Sequence, residues 1–251
     1  MKIIVLKFGG VAVRDYPERV IQHIIQQKKI GYAVVAVVSA EAGVTDSLLG
    51  KAKELSREPD QRTTDMLLAS GEQVSAALIT LRLQENGCDA VALTGWQAGI
   101  VTDETYGNAK IIGVDPHLIT NHLLMGKVAV VAGFQGITPE GEITTLGRGG
   151  SDYTAKILER VLDADRLELF KEVPGVMSAD PKKVPGALQR MEITPRELLE
   201  LAKGGAKIVN PDCAWLIGDG GITYIRSVVH DVPGTLVVPI RQRRKNGFVT
   251  G

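Results

Sequence analysis

Short apolar runs alternating with helical spacing predict an α/β sandwich whose sheet is mixed but mainly parallel. Five runs of strand length end in glycine or small polar residues, and the stretches between them carry helical periodicity. Nearly continuous apolar strands imply burial on both faces, as in parallel sheets. The 28 glycines among 251 residues exceed the usual ~7%. They cluster at the ends of the runs, where α/β enzymes keep their ligand loops.

In chain order, Ile3–Leu6 is the first strand, closed by Lys7-Phe8-Gly9-Gly10. Val20, Ile24 and Gln27 begin the first helix. Ala33–Val38 is the next strand, before Ser39-Ala40. Val74, Ala77, Leu78 and Leu81 match i, i+3, i+4, i+7, predicting a helix that ends before Asn86-Gly87, with Ser70-Gly71-Glu72 just ahead of the stripe. Ala90–Leu93 and Val128–Ala132 are further strands, the second running into Gly133-Phe134-Gln135-Gly136. Thr138–Glu142 reads as a hairpin turn, hence the mixed sheet. Ala155, Leu158 and Leu162 mark a helix that Ser151 is placed to cap. Arg166–Phe170 is a strand ending at Lys171-Glu172, and Pro195–Lys203 is a helix stopped by Gly204-Gly205. Residues 241–251, with their Arg/Lys cluster, lack periodicity and read as a polar linker or tail rather than a binding patch.

Composition excludes several classes. Lys plus Arg equals Asp plus Glu at 29 each, so no global field favours nucleic acid or an acidic membrane. Cys88 and Cys213 have no disulfide or zinc spacing, which fits a reducing cytoplasm. Met1–Val5 enters a strand rather than a leader sequence, and no apolar run nears the ~18 residues that span a bilayer. The four histidines (His23, His117, His122, His230) show no metal or relay spacing, no metal ligand is assigned, and Gly-x-Ser-x-Gly is missing.

The run Thr144-Thr145-Leu146-Gly147-Arg148-Gly149-Gly150-Ser151-Asp152 carries the most chemistry. Its glycines allow close approach and positive φ, and backbone N–H groups at a helix N-terminus favour anions. Arg148 can grip a carboxylate with two parallel hydrogen bonds, and Asp152 can hold an ammonium group. The other reading is a turn that only joins strand to helix. Lys7 beside Gly9-Gly10 can form a cationic anion-binding concavity, or be a surface lysine at a tight turn. Ser39 and Thr45 are hydroxyl donors for a carboxylate, or local caps. Glu72 is a site residue, or an acid favoured by a helix dipole by ~0.3–1 kcal/mol. The loop Lys171–Pro181 can wrap a planar base, or be a well-formed turn.

Taken together and in order, Lys7–Gly10, Val38–Asp46, Leu68–Gln73, Thr94–Asp103, Val130–Gly136, Thr144–Ala155, Val173–Pro181 and Gly205–Pro211 resemble the aspartate kinases of the amino acid kinase family. The resemblance covers nearly the whole chain. It implies a three-layer α/β/α sandwich over residues 1–240 with a mainly parallel central sheet, aspartate on the amino-terminal lobe and ATP on the carboxyl-terminal lobe. It also implies the partners of such enzymes: L-aspartate, ATP with Mg2+, and a second copy in a homodimer. The reaction implied is phosphorylation of the β-carboxylate of L-aspartate to 4-phospho-L-aspartate, opening lysine, threonine and methionine biosynthesis. The alternatives are a related kinase for another carboxylate, or a catalytically weak nucleotide-binding relative.

By the same resemblance, Lys7 with Phe8, Gly9 and Gly10 serves the phosphates, and Lys7, Gly10, Arg148 and Asp152 form the catalytic set. Ser39, Thr45, Glu72, Arg148, Ser151 and Asp152 hold the amino acid, with Glu72 and Asp152 towards its ammonium. Lys171, Glu172, Met177, Ser178, Asp180, Pro181, Lys182 and Lys207 carry the nucleotide. The chain departs from the family pattern at Val11-Ala12, where two hydroxyls are usual, at Lys171-Glu172, usually Thr-Asp, and at Asn210, usually His. Regulatory ACT domains, common in the family, are expected to be absent.

Overall fold

The computed structural model describes residues 1–179, 184, 186–206, 208–217 and 221–238. Strand β1 (Ile3–Phe8) leads into helices α1 (Gly10–Asp15) and α2 (Pro17–Lys29), then β2 (Ala33–Val38), α3 (Val44–Leu55) and α4 (Gln61–Glu85). Next come β3 (Ala90–Leu93), β4 (Ile100–Thr102), β5 (Ile111–Val114), α5 (His117–Leu124), β6 (Val128–Ala132), β7 (Gln135–Ile137) and β8 (Ile143–Thr145). The remainder is α6 (Gly150–Val161), β9 (Arg166–Lys171), β10 (Glu192–Ile193), α7 (Pro195–Lys203), α8 (Pro211–Ile217), β11 (Ile222–Ser227) and β12 (Thr235–Val237).

Among the described residues the main sheet has the order β10-β12-β11-β9-β1-β2-β6-β3. Its pairs are parallel except β11–β12. The hairpin at Thr138–Glu142 joins β7 to β8, which lie in a separate sheet ordered β5-β4-β7-β8. The mixed character of the main sheet therefore comes from β12, not from that hairpin.

Alternation along the strands explains the three layers. Val5, Val35, Val37, Ala129, Val131, Leu167 and Leu169 face one core, covered by α5, α6, α7 and α8. Ile4, Leu6, Phe8, Val34, Ala36, Val38 and Val130 face the other, covered by α1, α2 and α4. Strands buried on both faces need apolar residues throughout, which is why they read as unbroken runs.

Helix signals were local and mostly reliable. Thr194 and Glu197 form a reciprocal capping box at the start of α7. Asp60 accepts the Thr63 N–H at 2.8 Å to start α4. Two expectations about helices need correction. α6 is preceded by Gly149 in a left-handed conformation, and Ser151 lies inside the helix without capping it. Ser70-Gly71-Glu72 lies in the middle of the 25-residue α4, so a helix dipole does not account for Glu72. The stripe Val74, Leu78 and Leu81 faces solvent at 57%, 45% and 61% exposure. The buried side of α4 carries Leu68, Ile79 and Leu83 together with small and polar residues such as Asp65, Ala69, Glu72, Ser75, Ala76 and Thr80. Among the described residues, no helix is long and apolar enough to cross a membrane.

Candidate active site

Register and side-chain alternation bring two lysines to one carboxylate. Lys7 pairs with Leu169 across the parallel β1–β9 ladder, and Lys171 lies two residues further along. A two-residue step keeps the same face, so both lysines point to the layer where α6 packs. Asp152, in the first turn of α6, meets them there. Lys7 Nζ is 2.8 Å from Asp152 Oδ1, and Lys171 Nζ is 2.7 Å from Oδ2. The side chains are 7%, 17% and 6% exposed for Lys7, Lys171 and Asp152.

Burial lowers the proton affinity of Lys7, with Lys171 acting the same way and Asp152 against. For Asp152, burial would raise the pKa, but Lys171 and then Lys7 outweigh it and hold the carboxyl at about 2. Asp152 is thus an ionised anchor with both oxygens already engaged. That is a different environment from the open ammonium ligand that its place in the turn suggested.

Glu72 is buried close by, with one oxygen held by the backbone. Its Oε1 accepts the Ala40 N–H at 3.0 Å, while its buried Oε2 has no hydrogen-bond partner among the described residues. Burial raises its pKa to about 7, against the opposing pull of the Ala40 and Glu72 N–H groups and of Lys7. Ser39, half-buried at the end of β2, donates its N–H to Phe8 O at 3.1 Å. Thr45 is half-buried in the first turn of α3. Gly10 is required for proximity: a Cβ there would stand 2.5 Å from Ala40 O and 2.9 Å from Ala42 N. Gly9 has an extended backbone, so the pair forms no left-handed concavity.

The glycine-rich turn between β8 and α6 is shaped from outside. Gly147 and Gly149 have φ of 71° and 80°. A Cβ on Gly147 would meet Asn108 Oδ1 at 2.6 Å, and one on Gly149 would meet Asn210 Cβ at 2.6 Å. Arg148 between them is exposed, with no ion pair among the described residues. The structure therefore separates it in environment from the buried Asp152, although four positions part them. Ser151 is buried against Gly133.

Other expected residues stand apart. Phe8 is fully buried and stacks on Phe170 with ring centroids 4.7 Å apart, so its side chain belongs to the core rather than to a nucleotide. Glu172 and Ser178 are exposed, and Met177 is half-buried and bridges Gln189. Ser178 Oγ accepts the Leu188 N–H at 3.0 Å. Asp180, Pro181, Lys182, Lys207 and the tail 241–251 lie outside the described residues.

Three contributors went unread in the sequence. Asp65 accepts Thr145 N, Thr145 Oγ1 and Gly107 N at 2.8, 2.7 and 2.9 Å, tying α4 to the strand that feeds the turn. Asn210 donates its side-chain amide to the Arg148 carbonyl oxygen. Phe134 takes a left-handed φ of 69°, with its N–H on Thr154 Oγ1 at 3.1 Å. Only Asn210 left a trace, as a departure from the usual motif. Asp65 sat in a polar stretch without a turn or cap signal.

The family model described as "Amino acid kinase family" matches residues 2–227. An aspartokinase of Bacillus sp. (strain MGA3) is 44% identical over 255 residues, an alignment covering 100% of this chain and 62% of that protein. The crystal structure of aspartate kinase from Synechocystis superposes with a TM-score of 0.83 at 43% identity, covering 96% of this chain and 41% of that one. E. coli aspartokinase III in complex with aspartate and ADP gives a TM-score of 0.83 at 26% identity, over 96% and 66% of the two chains. The chain spans about six-tenths of the length of the curated relatives it matches.

Proposed function

The chain belongs to the amino acid kinase family, and on that premise we propose that it transfers the γ-phosphoryl group of ATP to the β-carboxylate of L-aspartate. The products are 4-phospho-L-aspartate and ADP. One arrangement carries the reading: two lysines share the buried Asp152 carboxylate, near a buried glutamate with an open oxygen. Aspartokinase relatives at 44% and 42% identity over the whole chain support aspartate as the acceptor.

In this reading Lys7, with the Gly9 and Gly10 backbone, neutralises the migrating phosphoryl group. Glu72 Oε2 receives the substrate ammonium, Arg148 the α-carboxylate, and Ser39, Thr45 and Ser151 support the acceptor. Asp152 holds Lys7 in place. The β-carboxylate is ionised at neutral pH, its ordinary pKa being about 3.9, so no general base is needed. A carboxylate oxygen pair forms the new O–P bond as the bond from phosphorus to the β–γ bridging oxygen breaks. ADP leaves with that electron pair, and no proton moves. Catalysis is then positioning and charge stabilisation.

The described residues hold no group of three or more His, Cys, Asp or Glu able to cage a metal, and both Asp152 oxygens face lysines. Mg2+, which binds largely through substrate phosphates and water, would enter on the nucleotide. Residues 1–240 act as the catalytic domain, with aspartate towards the amino-terminal lobe and ATP towards the carboxyl-terminal one; 241–251 serve as a tail. The exposed stripe Val74, Leu78 and Leu81 supports a homodimer. Two buried cysteines without a disulfide support a cytoplasmic location. The test is aspartate-dependent ADP release with hydroxylamine trapping of the acyl phosphate; no aspartate-dependent hydroxamate at millimolar substrate refutes the reading.

A further inference from the structure

Asp65 is fully buried in α4, and its partners are two N–H groups and a hydroxyl rather than a cation. Oδ2 accepts the Gly107 N–H at 2.9 Å and the Thr145 N–H at 2.8 Å, while Oδ1 accepts the Thr145 hydroxyl at 2.7 Å. Burying a carboxyl group without a counter-ion is costly, and burial raises the Asp65 pKa in spite of all three bonds. The β7–β8 ladder already pairs Thr145 with Gln135. Holding up a strand is therefore too small a task for this group.

Both segments that Asp65 fixes lead to Arg148. Thr145 ends β8, three positions before Arg148. Gly107 precedes Asn108, which backs the turn: a Cβ on Gly147 would stand 2.6 Å from Asn108 Oδ1. Glu72 lies seven residues beyond Asp65 on the same buried side of α4, a rise of about 10 Å. One helix thus carries the group assigned to the acceptor's ammonium and the anchor of the turn whose arginine is assigned to its α-carboxylate. In an amino acid those two groups sit on one carbon, so the two grips must keep a fixed separation. We propose that Asp65 is a positioning residue, which holds the Arg148 turn in place relative to Glu72 so that both grips meet at the acceptor's α-carbon. This rests on the acceptor assignments above and adds the device that sets their spacing.

The test begins with Asp65→Ala, which removes all three bonds. The aspartate KM should rise by about 30-fold, the lower end of what removing Arg148 itself should cost, with the ATP KM unchanged. Asp65→Asn is the conservative variant. Its amide oxygen can take both N–H groups and its NH2 can donate to Thr145 Oγ1, so the aspartate KM should stay within about threefold. A double-mutant cycle separates positioning from general weakening. In an Arg148→Ala background, Asp65→Ala should add no more than about threefold, because the group it positions is gone. If Asp65→Ala does not fold, Thr145→Val removes the hydroxyl bond alone. It should raise the aspartate KM by about fivefold, and by less than about twofold in the Arg148→Ala background.

Full multiplication of the two losses in the double variant would overturn the proposal, as would an equal rise in the ATP KM or an Asn variant as damaged as the Ala one. Failure of the aspartate reading shows separately, as no aspartate-dependent hydroxamate from the unaltered chain. The positioning role is then decided by amide hydrogen exchange across residues 145–150. Exchange there should quicken by about tenfold or more in Asp65→Ala and not in Asp65→Asn, while the amides of β1 keep their rates. Unchanged exchange in both variants overturns it.

Discussion

Glu72, in the middle of α4, accepts the backbone N–H of Ala40 at 3.0 Å and thereby ties the longest helix to the loop after β2. One carboxylate oxygen is held by protein and the other is left open. Glu72→Gln keeps the shape and removes the charge. The aspartate KM should rise by about 30-fold, the loss of one charge-assisted contact, with ATP KM unchanged. Initial-rate kinetics with each substrate varied will check this.

The same group sets a pH dependence. Its folded pKa is about 7 against an ordinary 4.5. Protonated Glu72 cannot hold an ammonium, so the aspartate KM should rise as pH falls below about 7. For stability the sign is the reverse. The folded chain binds the extra proton between the two values, so this contribution is complete below the unfolded pKa and is lost as pH rises through 7. The loss is about 3 kcal/mol at most. Denaturant unfolding at several pH values should show a flatter profile for Glu72→Gln.

Asp152→Asn leaves two lysines without their counter-charge. Removing one partner of a buried ion pair costs about 3–5 kcal/mol, and catalysis should fall with it. Asp152 has a folded pKa of about 2, below its ordinary 3.8. Its contribution of about 2 kcal/mol is present above the unfolded value and is lost as pH falls through the folded one. Acid unfolding of the unaltered chain and of Asp152→Asn should therefore diverge above about pH 4; identical curves would contradict the anchoring role.

Arg148→Ala should raise the aspartate KM by about 2–3 kcal/mol of lost bidentate contact and spare nucleotide affinity. The side chain is exposed without an ion pair among the described residues, so folding stability should change by no more than about 0.5 kcal/mol. Equal damage to both substrates would remove the assignment.

Leu78→Glu tests the pairing of two copies through α4. Leu78 is 45% exposed between Val74 and Leu81. A buried charge at a pairing face should convert dimer to monomer in sedimentation, with the melting of the monomer little changed. A monomeric unaltered chain refutes the proposal.

Strand positions were legible because burial on both faces demands unbroken apolar runs, as in Ala33–Val38 and Val128–Ala132. Periodicity found α4 but not its inner side. The stripe Val74, Leu78 and Leu81 points outward, whereas the inner face combines Ile79 and Leu83 with Ala69, Ala76 and Thr80, whose Oγ1 donates to Ala76 O at 2.7 Å, so polar and small residues interrupt its apolar pattern. Glu72 looked like a helix-start acid because its burial is a tertiary fact. The union of Lys7 and Lys171 was hidden for the same reason: 164 positions apart, they meet only through a strand pairing that no local pattern specifies.

The asparagines at 108 and 210 that crowd Gly147 and Gly149 also constrain how this chain can change over evolutionary time. A replacement at either glycine is strained, since a new side chain would need both a disfavoured backbone and a displaced neighbour. Divergence towards other acceptors is thereby channelled away from the turn.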